Sequence, residues 1–308
     1  MCAIIGAVVP SDRLGYKGQA NDILNHITRE SHERGRDGRG FLAIGRPATT
    51  GFKEITRGTA STWKDVEFFE GLHGPLTLIG NLRAEPTTEY VVVKEQYDQQ
   101  PYTCGPWSIV HNGTVANDKE LRTYELPTKI DSAAIAEVLA HQPANFDLDQ
   151  AFINCALKIK GSYAILAMHN DCPGQLWVAT NYKPIWYARD ECGVFFASAR
   201  HYFPNHLIPQ MVRPYTVVTF HGAYSTVIAD LAPRYHQRAL VVCSGGLDSV
   251  VAAAYVRRKL GLDAHLIHFR YGSRAQKKEV PAVQAVAKAL DVPLILLQLP
   301  IYKAEDSP

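Results

Sequence analysis

The sequence changes its rhythm once, at Leu231-Ala-Pro-Arg-Tyr-His-Gln-Arg238, and this limits the fold more than any other feature. Before it, short runs of β-branched and aromatic residues are bounded by Gly, Pro, Asn or Asp. They predict strands at Ala3–Val9, Gly40–Ile44, Leu76–Gly80, Trp107–Asn112, Tyr163–His169, Leu176–Thr180, Val194–Ala197 and Tyr215–Phe220. Helical patterning marks Ala20–His32 and Ser132–Ala140. After the break, strands at Ala239–Cys243, Ala264–Phe269 and Pro293–Gln298 alternate with helices from Val250 to about Leu260 and at Lys277–Leu290. That alternation implies parallel βαβ units and a doubly wound sheet. The expected organisation is an α/β chain with a first domain over 1–230, a linker over 231–238 and a second domain over 239–308. A length of 308 residues suits two domains at ~100–200 residues each.

Composition removes several function classes. Apolar residues are 46% of the chain, enough for a sizeable core, and the net charge of +2 gives no general attraction to nucleic acid. No apolar run reaches the ~18 residues of a membrane span, and the amino terminus lacks the pattern of a secretory signal. The six cysteines, Cys2, Cys104, Cys155, Cys172, Cys192 and Cys243, form no Cys-x-x-Cys pair. This argues against a zinc site or disulfide framework and fits a reducing cytoplasm.

Cys2 is the first candidate for chemistry. Removal of Met1 would leave a thiol and a free α-amine on one residue, and an α-amine has a pKa of roughly 8. Nucleophile and base would then share a residue. The surrounding Met1-Cys2-Ala-Ile-Ile-Gly6 resembles the opening of class II glutamine amidotransferases, which are N-terminal-nucleophile hydrolases. Further segments match that family in order: His32 to Gly40 with Arg34-Gly35 and Asp37, Gly80-Asn-Leu-Arg83, His111-Asn112-Gly113-Thr-Val-Ala-Asn117, Glu120-Leu-Arg122, Thr128-Lys-Ile-Asp131-Ser, Gly161-Ser-Tyr-Ala164 and Phe196-Ala-Ser198. The resemblance covers about residues 1–225 and implies a four-layer αββα sandwich.

It also implies roles. Cys2 would attack the side-chain amide of glutamine, and the Asn112 amide with the Gly113 N–H would form the oxyanion hole. Arg83 would hold the substrate α-carboxylate, and Asp131 its α-ammonium. The chain departs from the family at Ala3 (usually Gly), at Asn81 (usually His) and at Ala84-Glu85-Pro86-Thr87, which leaves finer glutamine contacts open.

Ser244-Gly245-Gly246-Leu-Asp248-Ser249 lies between a predicted strand and helix. Small residues there let backbone N–H groups cradle phosphate at a helix N-terminus. The hexapeptide resembles the pyrophosphate loop of PP-loop ATP pyrophosphatases, which implies ATP with magnesium. His268-Phe-Arg-Tyr271-Gly-Ser-Arg274 with Glu279 resembles 7-cyano-7-deazaguanine synthases and makes Tyr271, Arg274 and Glu279 candidate acceptor-site residues. Together the two domains resemble amidotransferase–cyanodeazaguanine synthase fusions of the archaeosine type. That implies amidation of a 7-cyano-7-deazaguanine, free or within tRNA or DNA, by glutamine-derived ammonia. Two alternatives stay open: an asparagine-synthetase-like ligase amidating a free carboxylate, and a non-catalytic binding protein with a decayed ATP site. About 70 residues follow the linker, fewer than such domains have, and the synthases' late zinc-binding cysteine cluster is missing from them. A fragment, completion by a second chain or a homo-oligomer, and loss of ATP chemistry each account for this.

Overall fold

A computed structural model describes residues 2–11, 15–47, 49–54, 63–84, 95–143, 145–232 and 238–299. The central part of the expected linker, 233–237, and the departure at Glu85-Pro86-Thr87 lie outside the described residues. The chain forms two compact units, Met1–Ala232 and Pro233–Pro308.

The first unit begins with β1 (Ala3–Val9), α1 (Tyr16–Ser31), β2 (Gly38–Arg46), β3 (Thr49–Glu54) and β4 (His73–Arg83). There follow β5 (Tyr102–Cys104), β6 (Trp107–Val115), α2 (Asp118–Leu121), α3 (Ala133–Ala140) and α4 (Leu148–Lys158). It continues through β7 (Gly161–His169), β8 (Gln175–Thr180), β9 (Trp186–Asp190), β10 (Gly193–Ala197), β11 (Gln210–Met211), β12 (Thr216–His221) and β13 (Tyr224–Asp230). Two antiparallel sheets result. One has the order β11-β9-β10-β1-β4-β2-β3 and the other β13-β12-β8-β7-β6-β5.

Strand β1 shows why this sequence takes this form. All seven of its residues are buried, and side chains alternate between the two faces of a strand. Ala3, Ile5, Ala7 and Val9 join a core with Ile23, Leu24 and Ile27 of α1. Ile4 and Val8 join a second core with Ile79 of their own sheet and Val110, Leu166 and Val178 of the other sheet. A third core sets Ile109 and Ile165 against Ile135 and Leu139 of α3 and Phe152 of α4. A strand covered on both faces reads as a continuous apolar run, as β1 does.

The second unit contains β14 (Arg238–Val242), α5 (Leu247–Ala254, prolonged by a π-type segment, Tyr255–Lys259), β15 (Asp263–Arg270), α6 (Gln276–Leu290) and β16 (Leu294–Gln298). Its three strands are parallel, in the order β14-β15-β16. Both helices pack on one face: Ala253 of α5 and Val283, Ala287 and Leu290 of α6 share a core with Leu266. Steps in one direction across a sheet, each right-handed, put their helices on the same side. The opposite positions are open, with Leu240 60% and Val242 61% exposed.

Two helix starts differ from expectation by three residues or more. Helix α1 starts at Tyr16 rather than Ala20, because its first turn is too polar to carry an apolar period. Helix α5 starts at Leu247 rather than Val250, with Gly246 as its N-cap, so Asp248 and Ser249 lie in its first turn. No helix among the described residues is long and apolar enough to cross a membrane.

Candidate functional site

Three segments meet at the end of β4. The β1–β4 ladder closes with Ala3 opposite Leu82, so Cys2 and Arg83 follow at the same end. The half-buried Cys2 directs its thiol at the Ala84 carbonyl, 3.9 Å away. On the other side of β4, Gly38 pairs with Arg83, and the Asp37 N–H donates to the Arg83 carbonyl at 2.9 Å. Gly35 passes so close to β4 that a Cβ there would lie 2.4 Å from the Leu82 carbonyl. Only glycine allows this approach, which packs the Arg34–Gly38 loop onto the strand end that carries Arg83. Arg83 is 4% exposed.

The strand β6, which packs across the sheets against β1 and β4, brings Asn112 and Gly113. Asn112 is 4% exposed. Gly113 lies hard against β7: a Cβ would sit 1.9 Å from the Ser162 carbonyl oxygen and 2.8 Å from His111 Nε2. No other residue fits there.

Asp131 stands just before α3, where its Oδ2 accepts the Val115 N–H at 2.7 Å. Its Oδ1 accepts the Ser132 N–H at 2.7 Å and the Ser132 hydroxyl at 3.2 Å. The segment leading to it is lashed by Arg122, whose guanidinium donates to the carbonyls of Leu126, Thr128 and Ile130. Arg122 also pairs with Glu137 at 3.2 Å, both side chains being buried. Burial pushes the Glu137 carboxyl up. The N–H donors of Leu126 and Thr123 and the Arg122 charge outweigh it and hold the group below its ordinary range.

Several residues here carry no sequence signal of their own. The Tyr102 phenol donates to the Asp98 carbonyl at 2.5 Å. Burial raises its pKa, the nearby Arg83 charge lowers it and the Asp131 charge raises it, so this buried ring lies within electrostatic reach of both. Gln99 Nε2 donates to Asn81 Oδ1 at 3.2 Å, and Asn81 Nδ2 donates to the Ala3 carbonyl at 3.4 Å. Asn81 therefore braces the strand that follows Cys2. Gln100 accepts the His111 N–H at 2.6 Å and donates to the His111 carbonyl at 3.0 Å, using its amide as a piece of strand backbone. Ser198 Oγ accepts the Ile4 N–H at 2.9 Å.

In the second unit the Ser244–Ser249 loop joins β14 to α5. Gly245 has φ +83°, and a Cβ there would lie 2.9 Å from the Cβ of Ala282 on α6. Both facts demand glycine. Ser249 Oγ accepts the Ser244 N–H at 3.2 Å and donates to the Gly246 carbonyl at 2.9 Å. Ser244 Oγ accepts the Gly246 N–H at 3.3 Å. The N-cap Gly246 offers α5 no side-chain cap, and Asp248 is exposed in its first turn. Behind the loop, His268 Nδ1 lies 2.9 Å from the Cys243 carbonyl. Tyr271 and Arg274 are exposed between β15 and α6, while the Glu279 backbone packs against Gly245. Among the described residues no group of three or more His, Cys, Asp or Glu side chains could hold a metal ion.

Comparison with known proteins agrees with this division. A family described as a glutamine amidotransferase domain matches residues 87–205, and the queuosine biosynthesis protein QueC family matches residues 238–306. The chain is 34% identical over 318 residues to the 7-cyano-7-deazaguanine synthase of Saccharolobus solfataricus, covering 98% of this chain and 66% of that protein. It is 33% identical over 317 residues to 7-cyano-7-deazaguanine synthase 2 of Sulfurisphaera tokodaii, with the same coverage. The chain thus spans 66% of the length of these curated relatives. In fold it is similar to the glutamine phosphoribosylpyrophosphate amidotransferase of B. subtilis, with a TM-score of 0.57 at 16% identity, over 96% of this chain and 65% of that one.

Proposed function

We propose that this chain, a class II glutamine amidotransferase domain joined to a QueC-like domain, releases ammonia from glutamine at Cys2 for use in 7-deazaguanine chemistry. The observation that best supports the first half is the β1–β4 register, which sets Cys2 beside Arg83.

In this reading Arg83 holds the glutamine α-carboxylate through its planar fork, and Asp131 takes the α-ammonium. Once Met1 is removed, the α-amine accepts the thiol proton and Cys2 Sγ attacks the side-chain amide carbon. The oxyanion is met by Asn112 and the Gly113 N–H, donors worth about 3 kcal/mol each. Ammonia leaves with a proton, and water cleaves the γ-glutamyl thioester to glutamate. The three cores of the first unit support a four-layer αββα sandwich over about 1–230. The division into units after Ala232 supports a linker over 231–238 and a second domain from 239.

For the second domain we propose a doubly wound sheet whose Ser244, Gly245, Gly246, Asp248 and Ser249 receive the phosphates of ATP. The glycine-only turn and the uncapped start of α5 fit an anion. Bound ATP, with magnesium, would supply activation of an acceptor oxygen where the acceptor carries a carboxyl or amide oxygen, as in building a nitrile, whereas addition of ammonia to a nitrile has no oxygen to activate; Tyr271, Arg274 and Glu279 are the candidate acceptor contacts. The acceptor we propose is a 7-cyano-7-deazaguanine, free or in nucleic acid, whose nitrile takes ammonia to give an amidine. The name of the relatives, 7-cyano-7-deazaguanine synthase, favours a second reading in which the ammonia is used to build the nitrile itself.

Glutamine carrying 15N in its side-chain amide separates these readings. Label in an amidine supports the first, label in the nitrile supports the second, and no transfer to a deazaguanine overturns both. Cys2→Ala is expected to lower glutamate release by at least about three orders of magnitude without shifting thermal unfolding. Full activity in that variant rejects the amidotransferase assignment.

A further inference from the structure

We propose that His111 is a positioning residue that couples the oxyanion strand to Asp131 through Ser132; this rests on the glutamine-binding roles proposed above. Three hydrogen-bonded groups carry the inference. His111 Nδ1 lies 2.7 Å from Ser132 Oγ. Ser132 Oγ donates to Asp131 Oδ1 at 3.2 Å. On its other side the same ring backs Gly113, with Nε2 2.8 Å from where a Cβ would stand.

Proton inventory fixes the direction of the relay. An ionised carboxylate only accepts, and a serine hydroxyl has one proton to give. When Ser132 spends that proton on Asp131, Ser132 Oγ must accept from His111, so the imidazole carries its proton on Nδ1. The Nε2 atom is buried on the Gly113 side of the ring, toward the Ser162 carbonyl. The ring is 1% exposed, and burial holds its pKa below the ordinary value against the pull of Asp131. The residue is gripped at its backbone by both ends of the Gln100 amide.

The consequence is a shared reference point. The ring sets the height of Gly113 and, two bonds away, the rotation of Asp131. The atoms that meet the developing oxyanion and those that hold the α-ammonium are therefore indexed to one side chain rather than to two independent loops. No interaction of His111 with substrate is required.

Two measurements on the full chain test this. The first is the 15N imidazole spectrum, with the His111 resonance assigned by its loss in His111→Asn. A neutral Nδ1–H tautomer that is perturbed in Ser132→Ala is expected; an Nε2–H tautomer or an imidazolium overturns the relay, whatever the enzyme's activity. The second is steady-state glutaminase kinetics. Ser132→Ala should raise KM for glutamine about tenfold, the weight of one hydrogen bond to a charged group, with kcat within about twofold. His111→Phe should raise KM and lower kcat together, and His111→Asn, which keeps a donor near Nδ1, should recover most of both. The double variant Ser132→Ala/His111→Phe should be no worse in KM than His111→Phe alone. Full additivity, or an unchanged KM in Ser132→Ala, rejects the coupling. Loss of activity in Cys2→Ala alongside such a result would leave the amidotransferase assignment standing, which keeps the two failures distinguishable.

Discussion

The two units solve the same problem to different degrees. In the first, each sheet has a helical core on one face and shares a core with the other sheet on its second face. In the second, α5 and α6 cover one face of the parallel sheet and leave Leu240, Val242, Ile295 and Leu297 exposed on or beside the other. Parallel sheets in stable domains are ordinarily covered on both faces. Among the described residues, stability in the first unit is therefore spread over three cores, whereas in the second it depends on a single small one.

Urea unfolding of variants can break or sharpen that contrast. The largest effect is expected at the buried Arg122–Glu137 pair: Arg122→Met leaves a buried carboxylate without its cation and should cost about 3–5 kcal/mol, read in the transition of the first unit. The same carboxyl gives a pH signature. Its folded pKa is depressed, so its contribution is fully present above the ordinary carboxylate range and is lost as pH falls through the folded value. Glu137→Gln should flatten this acid dependence of the urea midpoint; a profile as steep as wild type would contradict the assignment.

Next comes Leu266→Ala, which opens the only core cluster of the second unit among the described residues and should cost about 2–5 kcal/mol. Gly245→Ala forces a side chain into positive φ against Ala282 and should cost about 1–3 kcal/mol, read in the same transition. The smallest effect belongs to the open face. Leu240→Thr, on a side chain already 60% exposed, should change stability by no more than about 0.5 kcal/mol. A loss as large as that of Leu266→Ala would mean that the face is covered in solution, and would erase the contrast.

How far this was legible in the sequence follows from the same burial. Strand β1 is visible because both faces are buried and every residue is apolar. Strand β13 escapes notice because it is an edge, with Tyr224 81% and Val227 58% exposed, and its residues need not alternate. Helix α4 is hidden because it buries small residues, Ala151, Cys155 and Ala156, around one Phe152, which leaves a weak apolar period. In the candidate site, Cys2, Arg83, Asn112, Gly113 and Asp131 stand out because their types and order match a family pattern. Tyr102, Gln99, Gln100 and the pairing of His111 with Ser132 do not. Their importance lies in what they touch across the fold, and no local pattern encodes a contact between residues 21 apart.

The position of β1 has a consequence for how the molecule is made. Its two neighbours in the sheet are β4, ending at Arg83, and β10, ending at Ala197. During synthesis Cys2 is made long before this second neighbour, and the strand behind it stays without it until Ala197 has been added. Such long-range pairing forms late in folding. The nucleophile proposed above would thus be made early and armed late, which would spare the nascent chain a working nucleophile before there is a site to confine it.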